Sequence, residues 1–262
     1  LGTQLLQRTT RTLSLTSHGQ LFYEHAVRIL GDLDEAEHLV IDAAGALRGR
    51  LRIAAPLSFG LHHLCDALTA FMTDHPGVEL ELDLNDREVD LVDEGFDMAI
   101  RIGDLPDSTL IARRLGTAQF VTCASPAYLA AHGTPQHPDD LAHHIGLHYA
   151  NATLSQVWQF SALDRDPPTA VPGIRMRANN GDVLTTAAAA GLGIVNLPTF
   201  IVANAIRDGR LVPVLTAFRR PPIGIHALFP PGRLMPRRLQ VFADYLQGRF
   251  GDRPYWDAGL PI

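Results

Sequence analysis

A stripe of apolar residues runs along residues 16–47, on a segment that is otherwise polar and acidic. Its members are separated alternately by four and three residues, the heptad spacing of a helix that packs on another helix. They are Phe22, Ala26, Ile29, Leu33, Ala36, Val40, Ala43 and Leu47. Such a helix extends about 45 Å, and we predict that a second copy covers the stripe in a homodimer or a homotetramer. The alternative is that the stripe packs on the globular part of the same chain.

The composition is that of an ordinary globular protein, with 262 residues of which 46% are hydrophobic and 19% charged, and its length suggests two domains with an appendage. A net charge of −6 argues against nucleic-acid binding by the body as a whole. The two cysteines, Cys65 and Cys123, provide no disulfide framework, so we expect a cytoplasmic protein. No apolar run approaches the ~20 residues that span a bilayer, so no membrane partner is expected.

A short basic hairpin is predicted before the long helix. Its strands fall at residues 5–8 and 12–15, and Arg8 and Arg11 are basic residues without an acidic neighbour in this stretch. Thr16 suits the N-cap of the helix, because its hydroxyl can accept a free N–H of the first turn. Gly19 stands where a glutamate would complete a capping box.

From residue 51 onward, strands alternate with helices. The pattern over residues 51–102 reads βαβαβ, with helices at 61–74 and 87–94, and implies a parallel sheet with right-handed crossovers. A further strand is predicted at 157–162. No flexible spacer divides this α/β region, so we expect two lobes joined by strands that cross near 120–124 and 223–229. In the C-terminal segment, Tyr255 and Trp256 suggest docking on the body.

An ordered set of motifs resembles the LysR-type transcriptional regulators, in particular the subgroup similar to regulators of aromatic-acid and stress-response genes. The set covers most of the chain, and its specificity lies in the combination. The motifs are the run Leu5–Thr16 followed by Gly19, Gly49-x-Leu51-x-Ile53, Asp90–Gly103, Ala124–Leu129, Pro138–His144 and Ala190–Pro198.

The resemblance implies a winged helix-turn-helix that binds operator DNA, a dimerising linker helix, and a two-lobed effector domain like a periplasmic binding protein. On this basis residues 1–15 are the wing, 16–49 the linker helix and 50–262 the effector domain. The first lobe is expected at about 50–120 and 230–250, and the second at about 124–222.

Most of the helix-turn-helix is missing from this sequence, so we expect an N-terminal truncation. Base readout requires the recognition helix. The wing residues Arg8, Arg11 and Thr16 can reach at most phosphate or the minor groove. The chain is therefore expected to dimerise without binding an operator specifically, which a gel shift at low salt would check.

An effector cleft is expected between the lobes, where strands end and helices begin. Ser58, Phe59 and Gly60 follow the first strand, and the start of the next helix suits a carboxylate. A plain helix cap at Ser58 is the alternative, and Arg101 could pair either with an anion or with a neighbouring aspartate. The predicted effector-binding residues are Ser58, Phe59, Gly60, Asn85, Arg101, His148, Asn180, Asn196 and Thr199.

No cofactor, metal site or enzymatic activity is expected. The paired histidines lack metal-ligand spacing, and Ser58 does not stand in a G-x-S-x-G motif. The leading hypothesis is a transcription regulator that responds to a small effector, a carboxylate or an aromatic acid. The alternative is a solute-binding protein of a transporter, which would be monomeric and would have no use for residues 16–47.

Overall fold

The fold is described from a computed structural model. The described residues are 2–8, 13–23, 25–26, 29, 47–105, 108–160, 171–218, 220–231 and 235–261. The strands are β1 (Leu6–Arg8), β2 (Leu13–Leu15), β3 (Arg48–Ala55), β4 (Gly77–Leu84), β5 (Met98–Ile102), β6 (Ile111–Ala118), β7 (Phe120–Ala124), β8 (Ile145–Tyr149), β9 (Gly173–Ala178), β10 (Val195–Pro198), β11 (Val212–Val214) and β12 (Ile223–Phe229).

Helices cover the faces of the sheets. The first, α1, combines an α-helical start, a π-helical turn and a longer α-helical part, at Leu57–Phe59, Gly60–Leu64 and Cys65–Asp74. The others are α2 (Pro126–His132), α3 (Leu154–Val157), α4 (Gly181–Ala189), α5 (Thr199–Arg207) and α6 (Arg237–Phe250), with 3₁₀ turns at Pro138–His143 and Tyr255–Asp257. Among the described helices, none is both long and apolar enough to cross a membrane.

The N-terminal hairpin is present, with β1 antiparallel to β2 and Leu6 opposite Leu15. The predicted cap at Thr16 is confirmed, because its Oγ1 accepts the N–H of Gly19 at 2.9 Å while the hydroxyl donates to the Gln4 carbonyl at 2.7 Å. A Cβ on Gly19 would lie 1.8 Å from the Leu5 carbonyl oxygen. This close approach explains why no glutamate completes a capping box there.

Only part of the apolar stripe falls within the described residues. Residues 17–23 are helical, and the side chains of Phe22 and Ile29 are 48% and 64% exposed. Ala26 is half-buried. Four members of the stripe lie outside the described residues, namely Leu33, Ala36, Val40 and Ala43. Leu47 corrects the pattern, because it is 6% exposed and packs in the core of the first lobe, directly before β3 begins.

The first lobe contains a five-stranded sheet in the order β4-β3-β5-β12-β6. The strands β4 and β5 both pair with β3 in parallel, whereas β12 runs antiparallel between β5 and β6. The predicted parallel arrangement of the first three strands is therefore confirmed. The helices α1 and α6 pack on this sheet, and Phe71 of α1 meets Phe242 of α6 with ring centres 4.9 Å apart.

The second lobe contains the three-stranded sheet β10-β7-β11 and the parallel pair β8-β9. The two sheets are joined at Ile194, whose N–H donates to the Ile145 carbonyl and whose carbonyl accepts from Leu147. The largest buried side chain of this lobe is Trp158, which packs in a cluster with Tyr128 and Leu141. The predicted α/β class and two-lobed architecture are both confirmed.

The chain crosses between the lobes at Gln119 and again between β11 and β12. The predicted crossings need a small correction, because Phe120–Ala124 lies wholly in the second lobe and Ile223–Phe229 wholly in the first. Leu215, at the start of the second crossing, has a φ of 54°, which non-glycine residues rarely adopt. Its side chain is 8% exposed in the core of the second lobe, which holds this backbone conformation in place.

Two predicted elements are wrong. Residues 87–90 are irregular and 91–94 form turns, because the Asp90 carboxylate accepts the N–H groups of Val92 and Asp93 and competes with helical hydrogen bonding. In the described part of the strand predicted at 157–162, Val157 ends helix α3, which begins at a capping box between Thr153 and Gln156, and residues 158–160 form no strand. Residues 161–162 lie outside the described residues.

Candidate functional site in the interlobe cleft

A cavity of about 860 Å³ lies between the two lobes. The first lobe contributes Asp86 and Arg101 to its wall, and the second contributes Tyr149 and Asn196. Arg220, on the second crossing, also faces this space. The volume falls within the range of pockets that enclose a small organic ligand. This cavity is the cleft that the strand order predicts.

Three of the predicted effector-binding residues line the cavity, namely Ser58, Arg101 and Asn196. Ser58 is 4% exposed, and its hydroxyl donates to the Asp182 carboxylate at 2.7 Å. The Arg101 guanidinium donates to the Arg87 carbonyl at 2.8 Å. Each of these two polar groups therefore already has a partner within the protein.

Phe59 and Gly60 do not line the cavity, which corrects the prediction for both. Phe59 is fully buried, and its ring lies 5.9 Å from that of Trp256 on the core side of α1. A Cβ on Gly60 would lie 2.3 Å from the Leu84 side chain. The glycine is therefore needed for packing of α1 on the sheet.

Asn85, His148 and Thr199 also lie outside the lining of the cavity. Asn85 shapes its own loop, since its side chain accepts the Arg87 N–H at 3.1 Å. His148 is 1% exposed and donates from Nε2 to the Ala152 carbonyl at 3.0 Å. Thr199 is fully buried at the start of α5. The contacts of these three residues are made within the protein and not with the cavity.

Asn180 caps helix α4 at the edge of the cleft. Its Oδ1 accepts the N–H groups of Asp182 and Val183, each at 3.1 Å. Its Nδ2 donates to the Ser58 hydroxyl at 3.4 Å, across the gap between the lobes. Asn180 therefore lies beside the cleft and does not line it. Its side chain caps α4 and at the same time bonds Ser58 of the other lobe.

Two carboxylates already occupy the start of α1, where the sequence predicts an effector carboxylate. The Asp86 Oδ1 accepts the Leu57 N–H at 3.1 Å, and Asp182 accepts from Ser58. Burial raises the pKa of the Asp86 carboxyl, and the nearby charge of Asp182 raises it further against the lowering effect of the Leu57 N–H. A third negative charge at this helix start would be repelled.

Tyr149 and Asn151 connect the second lobe to this region. Burial raises the pKa of the Tyr149 phenol to about 12, so the group stays neutral. Asn151 donates from Nδ2 to the Asp86 carbonyl at 3.2 Å. The sequence could have identified Tyr149 as a residue of the cavity wall, because it stands at the end of a predicted strand. No motif marks Asn151 or Arg220.

The cleft edge carries a contact that we call the helix-start junction, formed by Ser58, His62, Asn180 and Asp182. The His62 Nε2 lies 2.7 Å from one Asp182 oxygen, and the Ser58 hydroxyl bonds the other. A nucleophilic serine needs a base bonded to its hydroxyl, with the acid behind that base. Here the aspartate stands between serine and histidine, so the contact joins the lobes and activates no nucleophile.

No group of three or more potential ligands among the described histidine, cysteine, aspartate and glutamate residues is placed to hold a metal ion. Cys123 is fully buried, and this burial raises the pKa of its thiol to about 12. The thiolate form that binds metals is therefore disfavoured at this position.

Comparison with known proteins agrees with this architecture. A family model described as the LysR substrate binding domain matches residues 44–251. An uncharacterized HTH-type transcriptional regulator of Haemophilus influenzae is 40% identical over 239 residues, covering 91% of this chain and 83% of that protein. The uncharacterized HTH-type transcriptional regulator YhjC of Escherichia coli is 39% identical over 259 residues, covering 95% and 83%. The structure of CrgA, a LysR-type transcriptional regulator from Neisseria meningitidis, has a TM-score of 0.71 at 32% identity, covering 96% of this chain and 85% of that chain.

Proposed function

The chain belongs to the LysR family of transcriptional regulators, and we propose that a small organic acid binds in its interlobe cleft and alters how two copies act on operator DNA. Members of this family are regulators with an effector-binding domain and are not enzymes. This membership also disfavours a solute-binding protein of a transporter. The cytoplasm is the compartment in which such a regulator meets DNA.

The observation that carries the proposal is the cavity of about 860 Å³ whose wall comes from both lobes and includes the half-buried side chain of Arg101. A ligand in this space touches both lobes at once. It therefore stabilises one relative position of the lobes over others, in proportion to its difference in affinity for them. Arginine side chains favour an acidic ligand, since a guanidinium pairs with a carboxylate through two parallel hydrogen bonds.

Self-association is the second part of the proposal. Phe22 and Ile29 expose about half or more of their side chains at heptad spacing on the N-terminal helix. Covering them with the same helix of a second copy removes apolar surface from water. A change between lobe positions would then alter the relative placement of the two N-terminal hairpins, and with them of the DNA-binding parts. Sedimentation is expected to give a dimer or tetramer, and a monomer at all concentrations would contradict it.

The experiment that tests effector binding is a thermal-shift screen of the chain against small organic acids. A ligand at about 100 times its Kd adds about 2.7 kcal/mol to the free energy of unfolding, which gives a clear rise in Tm. For a genuine effector, Ser58→Ala or Arg101→Ala is expected to reduce this rise. The exposed Arg210, which pairs with Asp208 and does not line the cavity, provides the control variant Arg210→Ala. Stabilisation that survives both cleft changes undiminished would place the ligand elsewhere.

A further inference from the structure

Three basic side chains line the cleft, and they differ in how far the protein already neutralises them. Arg87 donates to the Glu94 carboxylate at 2.6 Å and is exposed, so its charge is paired and hydrated. Arg101 donates to the Arg87 carbonyl, and burial lowers its pKa against the opposing charges of Glu88 and Asp86. Arg87 therefore has a bonded counter-ion, and Arg101 has a donor engaged by a backbone carbonyl.

Arg220 is different. Its guanidinium carbon lies over the Phe120 ring, 4.0 Å from the ring centre, in a cation–π contact. Among the described residues, no hydrogen bond or ion pair engages this side chain, and Asp104 is the acidic group whose charge acts on it at longer range. Burial lowers the pKa of Arg220, as expected for a cation removed from water without a bonded partner.

The geometry of this contact leaves the donors of Arg220 available. The Phe120 ring holds the guanidinium carbon from one side, and among the described residues no group bonds the N–H donors, which lie in the guanidinium plane. Such a pre-oriented edge binds a carboxylate through two parallel hydrogen bonds, with little further ordering of the side chain. A half-buried cation that lacks a bonded anion is stabilised by any ligand that supplies one.

We propose that Arg220, rather than Arg101 or the start of α1, binds the acidic group of the effector. This inference rests on the proposed function and names the chemistry of its site: a monocarboxylate with an apolar body. The start of α1 is already occupied by Asp86 and Asp182, which repel a further carboxylate. Much of the remaining wall is apolar and suits a hydrocarbon or aromatic body; it includes Val157, Leu197, Phe200, Ile201 and Ile223.

The test compares three acids with their uncharged amides, namely benzoate, phenylacetate and hexanoate against benzamide, phenylacetamide and hexanamide. Calorimetry and thermal shift are measured on the full chain and on Arg220→Gln, Arg220→Lys and Arg101→Gln. Arg114→Gln, an exposed arginine in β6 that does not line the cavity, is the matched control. Circular dichroism establishes that each variant is folded, and the lysine variant keeps the test informative if the glutamine variant does not fold.

At least one acid is expected to bind the wild-type chain about tenfold or more tightly than its amide. Arg220→Gln removes this preference and leaves the amide's affinity unchanged. Arg220→Lys keeps the charge but lacks the planar fork, and reduces the affinity for the acid by a smaller factor. Arg101→Gln weakens the binding of the acid and of its amide by a similar factor, because Arg101 lines the cavity, and so keeps the acid preference. Arg114→Gln changes neither affinity by more than about threefold.

Two results would overturn the inference while leaving the proposed function in place. One is an acid that binds the wild-type chain and Arg220→Gln equally well. The other is a loss of the acid preference in Arg101→Gln but not in Arg220→Gln, which would assign the anchor to Arg101. If none of the six compounds binds the wild-type chain, and the wider screen of organic acids also gives no stabilisation, the proposed function fails together with the inference.

Discussion

Two of the contacts between the lobes have opposite character, and adjacent residues of α1 take part in them. His62 belongs to the helix-start junction, where polar side chains join α1 to α4 at the edge of the cleft. His63 belongs to what we call the aromatic junction, formed by Phe59, His63, Phe200, Tyr255 and Trp256. One junction is polar and partly hydrated, whereas the other is largely buried and mostly aromatic.

The helix-start junction is open to water. The side chains of His62 and Asp182 are 37% and 36% exposed. Ion pairs and hydrogen bonds of this exposure contribute little net stability, because water competes for both partners. Such a contact can break and re-form at small free-energy cost as the cleft changes shape.

The aromatic junction combines three parts of the chain. Trp256, from the C-terminal segment, is 2% exposed and packs 4.4 Å from the His63 ring of the first lobe and 6.3 Å from the Phe200 ring of the second. Arg207 of α5 donates to the Trp256 carbonyl at 2.6 Å and to the Ala258 carbonyl at 3.2 Å. The docking suggested by Tyr255 and Trp256 in the sequence is confirmed, and the segment joins both lobes.

His63 is held by hydrogen bonds that fix its neutral form. Its Nε2 lies 3.0 Å from the Phe200 carbonyl and must donate to it, so Nδ1 accepts from the Tyr255 hydroxyl at 2.8 Å. Each partner comes from a different part of the molecule than the histidine. The comparison therefore predicts that the aromatic junction holds the lobes together, and that the helix-start junction is the contact that breaks more easily.

The largest effect is expected for Trp256→Ala. Removal of a fully packed aromatic side chain lowers the free energy of unfolding by about 3–5 kcal/mol, because the lost contacts leave a cavity between the lobes. Urea unfolding measures this loss. The matched control is Tyr255→Phe, which keeps the ring, removes the hydrogen bond to His63 and is expected to cost about 1 kcal/mol. A loss below that of the control would show that the aromatic junction does not hold the lobes.

Acid is expected to weaken the same junction by a smaller amount. Burial lowers the pKa of His63 below its usual 6.5, helped by the charges of His62 and Arg207 and opposed by the Phe200 carbonyl and Asp66. Below pH 6.5 the unfolded chain therefore binds a proton that the folded chain does not, so the free energy of unfolding falls until the pH reaches the lowered pKa of the folded state. The stability that the neutral form of His63 contributes is therefore fully present above pH 6.5 and is lost as the pH falls.

The variant His63→Gln isolates this contribution, since an amide can both donate and accept but does not titrate. Urea unfolding between pH 5 and pH 8 is expected to show a flatter acid side for His63→Gln than for the wild-type chain. The buried His144 and His148 and the half-buried His226, whose pKa values are also lowered by burial, remain in both proteins. Identical slopes for the two proteins would assign the acid sensitivity to these other histidines.

The contrast between the junctions also explains what the sequence can predict. Ser58 and Arg101 are found in advance because the carboxyl ends of parallel strands meet at one edge of a sheet, which is a local rule. The contact between His63 and Tyr255 joins residues 192 positions apart, and the contact of Arg220 with Phe120 carries no motif. Such pairs depend on how the lobes and the C-terminal segment come together.

The errors in secondary structure have a similar origin. Residues 87–94 have the composition of a helix, but the Asp90 side chain bonds the backbone and Gly95, with φ of 70°, ends the turn. Phe59 follows the strand in the position of a cleft residue, but its apolar ring is directed to the aromatic junction. For Phe59 the local pattern predicts the position of the backbone correctly, but it does not determine the direction of the side chain.

The smallest effect on stability is expected for Asp182→Ala, which removes the two carboxylate oxygens that bond Ser58 and His62. The free energy of unfolding changes by about 1 kcal/mol or less, because the lost contacts are half-exposed. Asp208→Ala, which removes an exposed partner of Arg210 at the end of α5, provides the control for loss of a surface carboxylate.

Amide hydrogen exchange can show whether the helix-start junction joins α1 to α4 weakly or does not join them at all. In Asp182→Ala, exchange is expected to accelerate at the start of α1 and of α4, since Ser58 and His62 lose the acceptor that ties the two helices together, and to stay unchanged around Trp256. If the polar contact were as important for holding the lobes as the aromatic one, this variant would lose as much stability as Trp256→Ala. If it joined nothing, exchange at both helix starts would match that of Asp208→Ala. Only the intermediate result fits lobes that are fixed on the aromatic side and adjustable at the edge of the cleft.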